Sequence, residues 1–126
     1  MTRHPRILVA EDDAILRYTT AKVLSCAGYS VIEAPDGISA LRIIEQEAGE
    51  IDVLVTNVSM PHMHGHDLAR EAKKVRPELR VLIVSGTHER DFPPEAVHHA
   101  DTLMKPVDPA TLLGRVQELL KHRSDA

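Results

Sequence analysis

Short apolar runs alternate along this chain with longer stretches of helical periodicity, and this alternation constrains the fold more than any other feature. Five runs have the length and near-continuous apolarity of strands covered on both faces of a sheet: residues 6–11, 29–34, 51–57, 80–85 and 101–105. Between them, helical spacing predicts helices over 13–27, 37–48 and 65–75, a short helix around 91–99 and a C-terminal helix that begins near Asp108. Parallel neighbours need right-handed helical crossovers, so the pattern predicts an α/β fold with a doubly wound, five-stranded parallel sheet.

Residues that begin and end helices agree with these bounds. In the first helix, Ile15, Thr19 and Val23 recur at helical spacing. Gly28 lies where the end of that helix is expected, and Asp36 lies where the N-cap of the second helix is expected.

Length, charge and cysteine content narrow the class of protein. With 126 residues, no repeat or linker and few residues after Leu120, we expect a single domain over 1–126 without an output domain. A formal net charge of −4 and an aromatic content of 2% disfavour nucleic acid, membrane lipid and flat cofactors, so the expected partner is a protein. The apolar run at 7–10 is too short for a signal peptide or membrane span, and Cys26 is expected to be a buried, reduced thiol. We therefore expect a cytoplasmic protein.

Polar residues follow the predicted strands at one edge of the sheet, where open parallel sheets bind ligands. They are Glu11, Asp12 and Asp13 after the first strand, Asn57 at the end of the third, Ser85 at the end of the fourth and Lys105 at the end of the fifth. Adjacent carboxylates repel one another, and a divalent cation such as Mg²⁺ would compensate them. The alternative is that one acid caps the first helix and the others are solvated. The ammonium of Lys105 and the hydroxyl of Ser85, beside Mg²⁺, would together bind a phosphoryl group.

In their order and spacing, the stretches ILVAEDD, SMPHMHG, VLIVSG and LMKPVDP resemble the receiver domain of bacterial two-component response regulators over nearly the whole chain. The resemblance implies a flavodoxin-like (βα)5 fold with strand order 2-1-3-4-5. It also implies a phosphoryl group received from a histidine kinase or phosphotransfer protein, and contact with a downstream protein through the fourth helix, the fifth strand and the fifth helix.

The resemblance implies a role for each polar residue at the strand ends. Glu11 and Asp12 match the Mg²⁺-binding acids, and the backbone carbonyl of Ser59 matches a further ligand. Ser85 matches the switch hydroxyl. Lys105 matches the lysine that contacts the phosphoryl group, with a cis peptide bond after it.

The chain departs from the receiver pattern at two positions. Asn57 stands at the place of the phosphoacceptor aspartate, and a neutral amide oxygen is a poor nucleophile towards phosphorus. We therefore expect no phosphorylation and no self-catalysed phosphoryl transfer, together with weaker Mg²⁺ binding at a site that includes Asn57 as a ligand. The amide can instead donate a hydrogen bond to Glu11 or Asp12. Thr102 stands where receivers usually carry the aromatic residue that moves with the switch hydroxyl.

Two histories are compatible with these residues. In the first, the protein is an atypical receiver that has lost its acceptor and works by protein–protein contact. In the second, it is a genuine phosphoacceptor, either stand-alone or part of a hybrid histidine kinase, that carries an Asp-to-Asn substitution. A flavin-binding electron carrier of the same fold is disfavoured, because its first loop needs hydroxyls and N–H donors for a phosphate rather than three acids.

Overall fold

The computed structural model describes residues 4–47, 50–86 and 101–124, which form a parallel sheet with helices on both faces. The elements follow in the order β1 (Arg6–Ala10), α1 (Ala14–Cys26), β2 (Ser30–Ala34), α2 (Gly37–Gln46), β3 (Val53–Asn57), α3 (Gly65–Val75), β4 (Arg80–Ser85), β5 (Asp101–Met104) and α4 (Pro109–Ser124). The sheet order is β2-β1-β3-β4-β5, and each pair of neighbours is parallel. The flavodoxin-like topology is therefore confirmed, whereas the predicted helix around 91–99 lies outside the described residues.

Local interactions explain where the first two helices begin and end. The Asp13 carboxylate accepts the backbone N–H groups of Ile15 and Leu16 at 2.9 and 3.0 Å, which satisfies two donors at the start of α1. Gly28 follows α1 with a φ of 100°, a left-handed conformation that glycine adopts without steric cost. The Asp36 carboxylate accepts the N–H of Ser39 at 2.7 Å and caps α2.

The sheet is covered on both faces, which explains the near-continuous apolarity of its strands. Among the described residues, one buried cluster joins Leu8 and Leu54 to α2 and α3, and the other joins Val9 and Val55 to α1 and α4. Successive strand residues point to opposite faces, so each strand contributes to both clusters. Burial of each large aliphatic side chain contributes roughly 1.5–3 kcal/mol, so both helical layers are needed for a stable sheet.

The register brings four strand ends to one edge of the sheet. Ala10 lies opposite Thr56 in the pairing of β1 with β3, and Asn57 lies opposite Val84 in the pairing of β3 with β4. Ser85 lies opposite Met104 in the pairing of β4 with β5. The chain reverses its direction across the sheet between β1 and β3, which is the position where ligands bind in folds of this type. In the part of the chain that the structure describes, no helix has the length and apolarity needed to span a membrane.

Candidate functional site

Asn57 lies at the centre of the carboxyl edge, at the end of β3. Its side-chain nitrogen, Nδ2, donates to the backbone carbonyl of Ser59 at 3.0 Å and to Glu11 Oε2 at 3.4 Å. The first bond closes a short turn after β3, and the second connects β3 to the loop after β1 across 46 positions of sequence. The amide therefore links two loops that the sheet alone does not hold together.

Glu11 is a buried carboxylate, with 8% of its surface exposed. Its Oε2 also accepts the backbone N–H of Asp13 at 3.1 Å. Burial raises the pKa of Glu11; the N–H of Asp13 and the charge of Lys105 lower it, while contact with Asp12 raises it again. The net effect is a raised pKa, because loss of solvent destabilises the charged form more than the N–H donor and the ammonium stabilise it.

The three consecutive acids after β1 have three different environments. Glu11 is buried and faces Asn57, whereas Asp12 and Asp13 are exposed. Asp13 is committed to the first turn of α1 as its N-cap. The capping alternative is therefore correct for Asp13, and the two acids that remain beside Asn57 are Glu11 and Asp12.

Ser85 and Lys105 lie beside each other at the ends of β4 and β5. The N–H of Lys105 donates to the carbonyl of Ser85 at 2.7 Å, and the Lys105–Pro106 peptide bond is cis, as the resemblance implied. Ser85 is buried, with 1% of its surface exposed. Lys105 lines a cavity of about 570 Å³ together with Glu11 and Asn57. The fold thus brings Glu11, Asn57 and Lys105 around one common space, and Ser85 adjoins Lys105 on the neighbouring strand.

Close packing behind Asn57 fixes its backbone. Gly65, the first residue of α3, donates its N–H to the carbonyl of Val58 at 2.8 Å. A Cβ at Gly65 would lie 2.3 Å from the carbonyl oxygen of Asn57, so only glycine fits there. The hydroxyl of Thr56, which is buried, donates to the same carbonyl oxygen at 3.0 Å. In the sequence, the sign of this contact is a glycine shortly after the end of a strand. Such a glycine does not by itself identify the residue against which it packs.

Arg17 is a site residue that the sequence did not reveal. From α1, its guanidinium donates to the backbone carbonyl of Glu11 at 2.9 Å and to the Glu33 carboxylate at 3.3 Å. It therefore connects α1 to the end of β1 and to β2, at the start of the acidic loop. Only the parallel pairing of these strands brings the three residues together, so no local pattern could have identified the contact.

The residues that the resemblance assigned to Mg²⁺ do not fit the ion as they are arranged. The carboxylates of Glu11 and Asp12 and the carbonyl of Ser59 are oxygen donors of the kind that Mg²⁺ binds. Asn57, however, turns an N–H group towards the oxygens of Glu11 and Ser59, and an amide N–H cannot be a ligand. Within residues 4–47, 50–86 and 101–124, no group of three or more His, Cys, Asp or Glu side chains is placed to hold a metal ion. Weak Mg²⁺ binding at this site stays a prediction.

Proteins of similar sequence include a receiver protein of about the same length and much longer signalling proteins that this chain matches in part. The chain is 33% identical over 117 residues to the response regulator receiver protein CpdR of Brucella abortus, covering 91% of this chain and 96% of that protein. It is 36% identical over 121 residues to the sensor kinase CckA of the same organism, covering 93% of this chain but only 13% of the kinase. It is 37% identical over 116 residues to the DNA-binding transcriptional regulator NtrC of Rhizobium meliloti, covering 90% of this chain and 24% of that regulator. The chain thus spans a small part of these two longer relatives.

Solved structures share the fold over almost the full length. A response regulator receiver domain protein from Clostridium thermocellum superposes with a TM-score of 0.89 at 29% identity, covering 95% of this chain and 97% of that one. The receiver domain of the hybrid histidine kinase CckA superposes with a TM-score of 0.79 at 36% identity, covering 91% of this chain and 98% of that one.

The family assignment follows from the sequence and the topology together. Residues 7–117 match the family model of the response regulator receiver domain. The sheet order β2-β1-β3-β4-β5 and the polar strand ends at one edge are those that the resemblance implied. The chain therefore belongs to the response regulator receiver domain family of two-component signal transduction systems.

Proposed function

We propose that this receiver works by protein–protein contact, without phosphorylation at residue 57. Receiver domains interact with histidine kinases and phosphotransfer proteins and generally bind Mg²⁺. We propose that the chain still binds protein partners of this kind but does not accept a phosphoryl group. The observation that carries it is the environment of Asn57, whose amide lies at the end of β3 and donates hydrogen bonds towards Glu11 and Ser59.

The chemical argument concerns the nucleophile. Attack on phosphorus needs an oxygen with negative charge or a base that can take its proton. The Asn57 amide is neutral, its nitrogen lone pair is delocalised, and its N–H groups are used as hydrogen-bond donors. An acyl phosphate cannot form at this side chain in the way that it forms at an aspartate.

The neighbouring residues occupy the positions to which the family resemblance attaches roles. We assign Lys105 to the phosphoryl-contacting position and Ser85 to the switch hydroxyl, with Glu11, Asp12, Asn57 and the Ser59 carbonyl around the cation position. The common cavity of Glu11, Asn57 and Lys105 supports this assignment. Mg²⁺ is the ion that the resemblance implies for this position, and we expect Asn57 to weaken its binding there.

The proposed contact surface comprises β5, α4 and the predicted helix around 91–99. Among the described residues β5 is the last strand at one side of the sheet, and Met104 on it is 40% exposed. Thr102 on the same strand is half-buried, and its carbonyl accepts a bond from Arg115 of α4 at 3.4 Å. Thr102 lacks the aromatic ring that moves with the switch hydroxyl in other receivers, so we propose that this surface keeps a single conformation.

A second candidate is a genuine phosphoacceptor in which residue 57 is naturally an aspartate. The observation that favours it is that Lys105 shares a cavity with Asn57 and is hydrogen-bonded to the backbone of Ser85. In that case the same edge of the sheet would catalyse transfer from a phosphohistidine once the carboxylate is present.

A phosphodonor experiment tests the proposal. The wild-type chain and Asn57→Asp are incubated with Mg²⁺ and acetyl phosphate, and their intact masses are measured. We expect no change in the wild type and a gain of about 80 Da in Asn57→Asp, for one added phosphoryl group. An adduct on the wild type that maps to residue 57 would refute the proposal. If Asn57→Asp also remains unmodified, residues other than Asn57 also prevent phosphoryl transfer, and the second candidate is rejected.

A further inference from the structure

We infer that the Asn57 amide takes the place of the divalent cation at this edge, so that the site keeps its closed arrangement without metal. The inference deepens the proposed function and rests on its assignment of residue 57. It concerns how the loops after β1 and β3 are held together, not which partner they meet.

The amide already bridges two of the oxygens that the cation would bind. Nδ2 carries two N–H groups, and it lies 3.0 Å from the Ser59 carbonyl oxygen and 3.4 Å from Glu11 Oε2. The first distance is that of an ordinary hydrogen bond and the second is that of a long one. The two acceptors belong to different loops, and a shared cation would otherwise be the link between them.

The orientation of the amide excludes the cation from the same position. If the amide were reversed, its oxygen would face a carboxylate and a carbonyl oxygen, and three oxygens would meet without a proton or a cation between them. Mg²⁺ requires oxygen ligands at about 2.0–2.1 Å. For Mg²⁺ to bind both Glu11 and Ser59, the amide must turn or withdraw, and both of its hydrogen bonds are then lost.

The charge of Glu11 is partly compensated without metal. Besides the Asn57 amide, its Oε2 accepts the N–H of Asp13 at 3.1 Å. Lys105 lines the same cavity and supplies a positive charge. These two N–H groups and the ammonium offset part of the cost of burying the Glu11 charge, and they do so without a cation.

An aspartate at residue 57 would reverse this balance. It would remove both N–H donors and place a second carboxylate against Glu11, with Asp12 also near. Like charges at this distance destabilise the folded state unless a cation lies between them. The wild type and Asn57→Asp should therefore respond to Mg²⁺ in opposite ways.

Thermal unfolding in EDTA and along a Mg²⁺ titration tests the inference on three proteins: wild type, Asn57→Asp and Asn57→Ala. In EDTA we expect both variants to melt roughly 3–8 °C below the wild type, because both lack the two N–H bonds. Mg²⁺ should restore most of this loss in Asn57→Asp and leave the wild type almost unchanged. The alanine variant separates loss of the donors from gain of a charge.

Two results would overturn the inference: an equal Mg²⁺-dependent rise in wild type and Asn57→Asp, or a wild type in EDTA that melts no higher than Asn57→Ala. If a variant does not fold, the side-chain amide signals of Asn57 in the wild-type NMR spectrum give an independent answer. They should keep their positions when Mg²⁺ is added, and their displacement would count against the inference. No phosphodonor is present, so this result is separate from the test of phosphorylation.

Discussion

Replacement of Gly65 by alanine should destabilise the protein, although alanine is the better helix former. The new Cβ would lie 2.3 Å from the carbonyl oxygen of Asn57 and 3.1 Å from its carbonyl carbon. That oxygen belongs to the backbone at the end of β3, so relief of the contact must move the strand or α3. Overpacking costs about 1–3 kcal/mol, and a clash with backbone rather than with a flexible side chain belongs to the upper part of that range, about 2–3 kcal/mol; the gain in helix propensity is at most about 1 kcal/mol. We expect a net loss of about 1–2 kcal/mol in the free energy of unfolding.

Gly114→Ala is the matched control for this prediction. Gly114 lies within α4, and a Cβ built there meets no atom of the described residues within 4 Å. The same substitution should therefore stabilise the protein by up to about 1 kcal/mol. Urea unfolding followed by circular dichroism measures both changes, and opposite signs are expected. A Gly65→Ala protein as stable as the wild type would refute the packing argument, because the end of β3 could then move without lowering the free energy of unfolding.

Two further predictions concern carboxylates whose pKa values differ from the usual range. The N–H of Ser39 lowers the pKa of Asp36, so this cap stabilises the fold above the ordinary pKa of aspartate and the contribution is lost as pH falls through the lowered value. Asp36→Ala should lower the free energy of unfolding by about 1 kcal/mol at pH 7 and leave it almost unchanged in strong acid. Urea midpoints measured as a function of pH test this, and a loss that is independent of pH would contradict it. Burial raises the pKa of Glu11, so the charged form disfavours folding once pH rises above the ordinary value. Glu11→Gln should raise the urea midpoint at pH 7, and its advantage should disappear below about pH 4; a lower midpoint at pH 7 would contradict this explanation.

The strands and their topology could be predicted because they depend on local pattern. Near-continuous apolar runs identify strands that are buried on both faces, and the intervening helices require parallel pairing. The bounds differ from the prediction by one or two residues, as in β3, which begins at Val53 rather than residue 51. The caps at Asp36 and Gly28 were also readable, since each depends only on its neighbours in sequence.

The buried face of α1 could not be predicted from spacing alone. Ile15 belongs to the periodic set but is 77% exposed, whereas Leu24 is fully buried. Several faces of this helix carry residues at helical spacing, and packing against the sheet selects one of them. The expectation that Cys26 is buried was wrong for the same reason, since it is exposed at the end of the helix.

The candidate site was predictable as a set of residues but not as an arrangement. The strand ends named Glu11, Asn57 and Lys105, and the fold brings them around one cavity. The sequence could not divide the three acids between capping and the site, because that division depends on how the loop after β1 is oriented. Nor could it decide which end of the Asn57 amide faces Glu11, since their contact depends on the register of β1 with β3.

Beryllofluoride binding tests most directly whether residue 57 receives phosphoryl groups. This phosphoryl mimic needs both a carboxylate oxygen at the acceptor and a cation beside it. With ¹⁹F NMR in the presence of Mg²⁺, we expect no bound signal for the wild-type chain and a bound signal for Asn57→Asp. A stoichiometric bound signal on the wild type, removed by EDTA, would contradict both the loss of the acceptor and the replacement of the cation by the Asn57 amide.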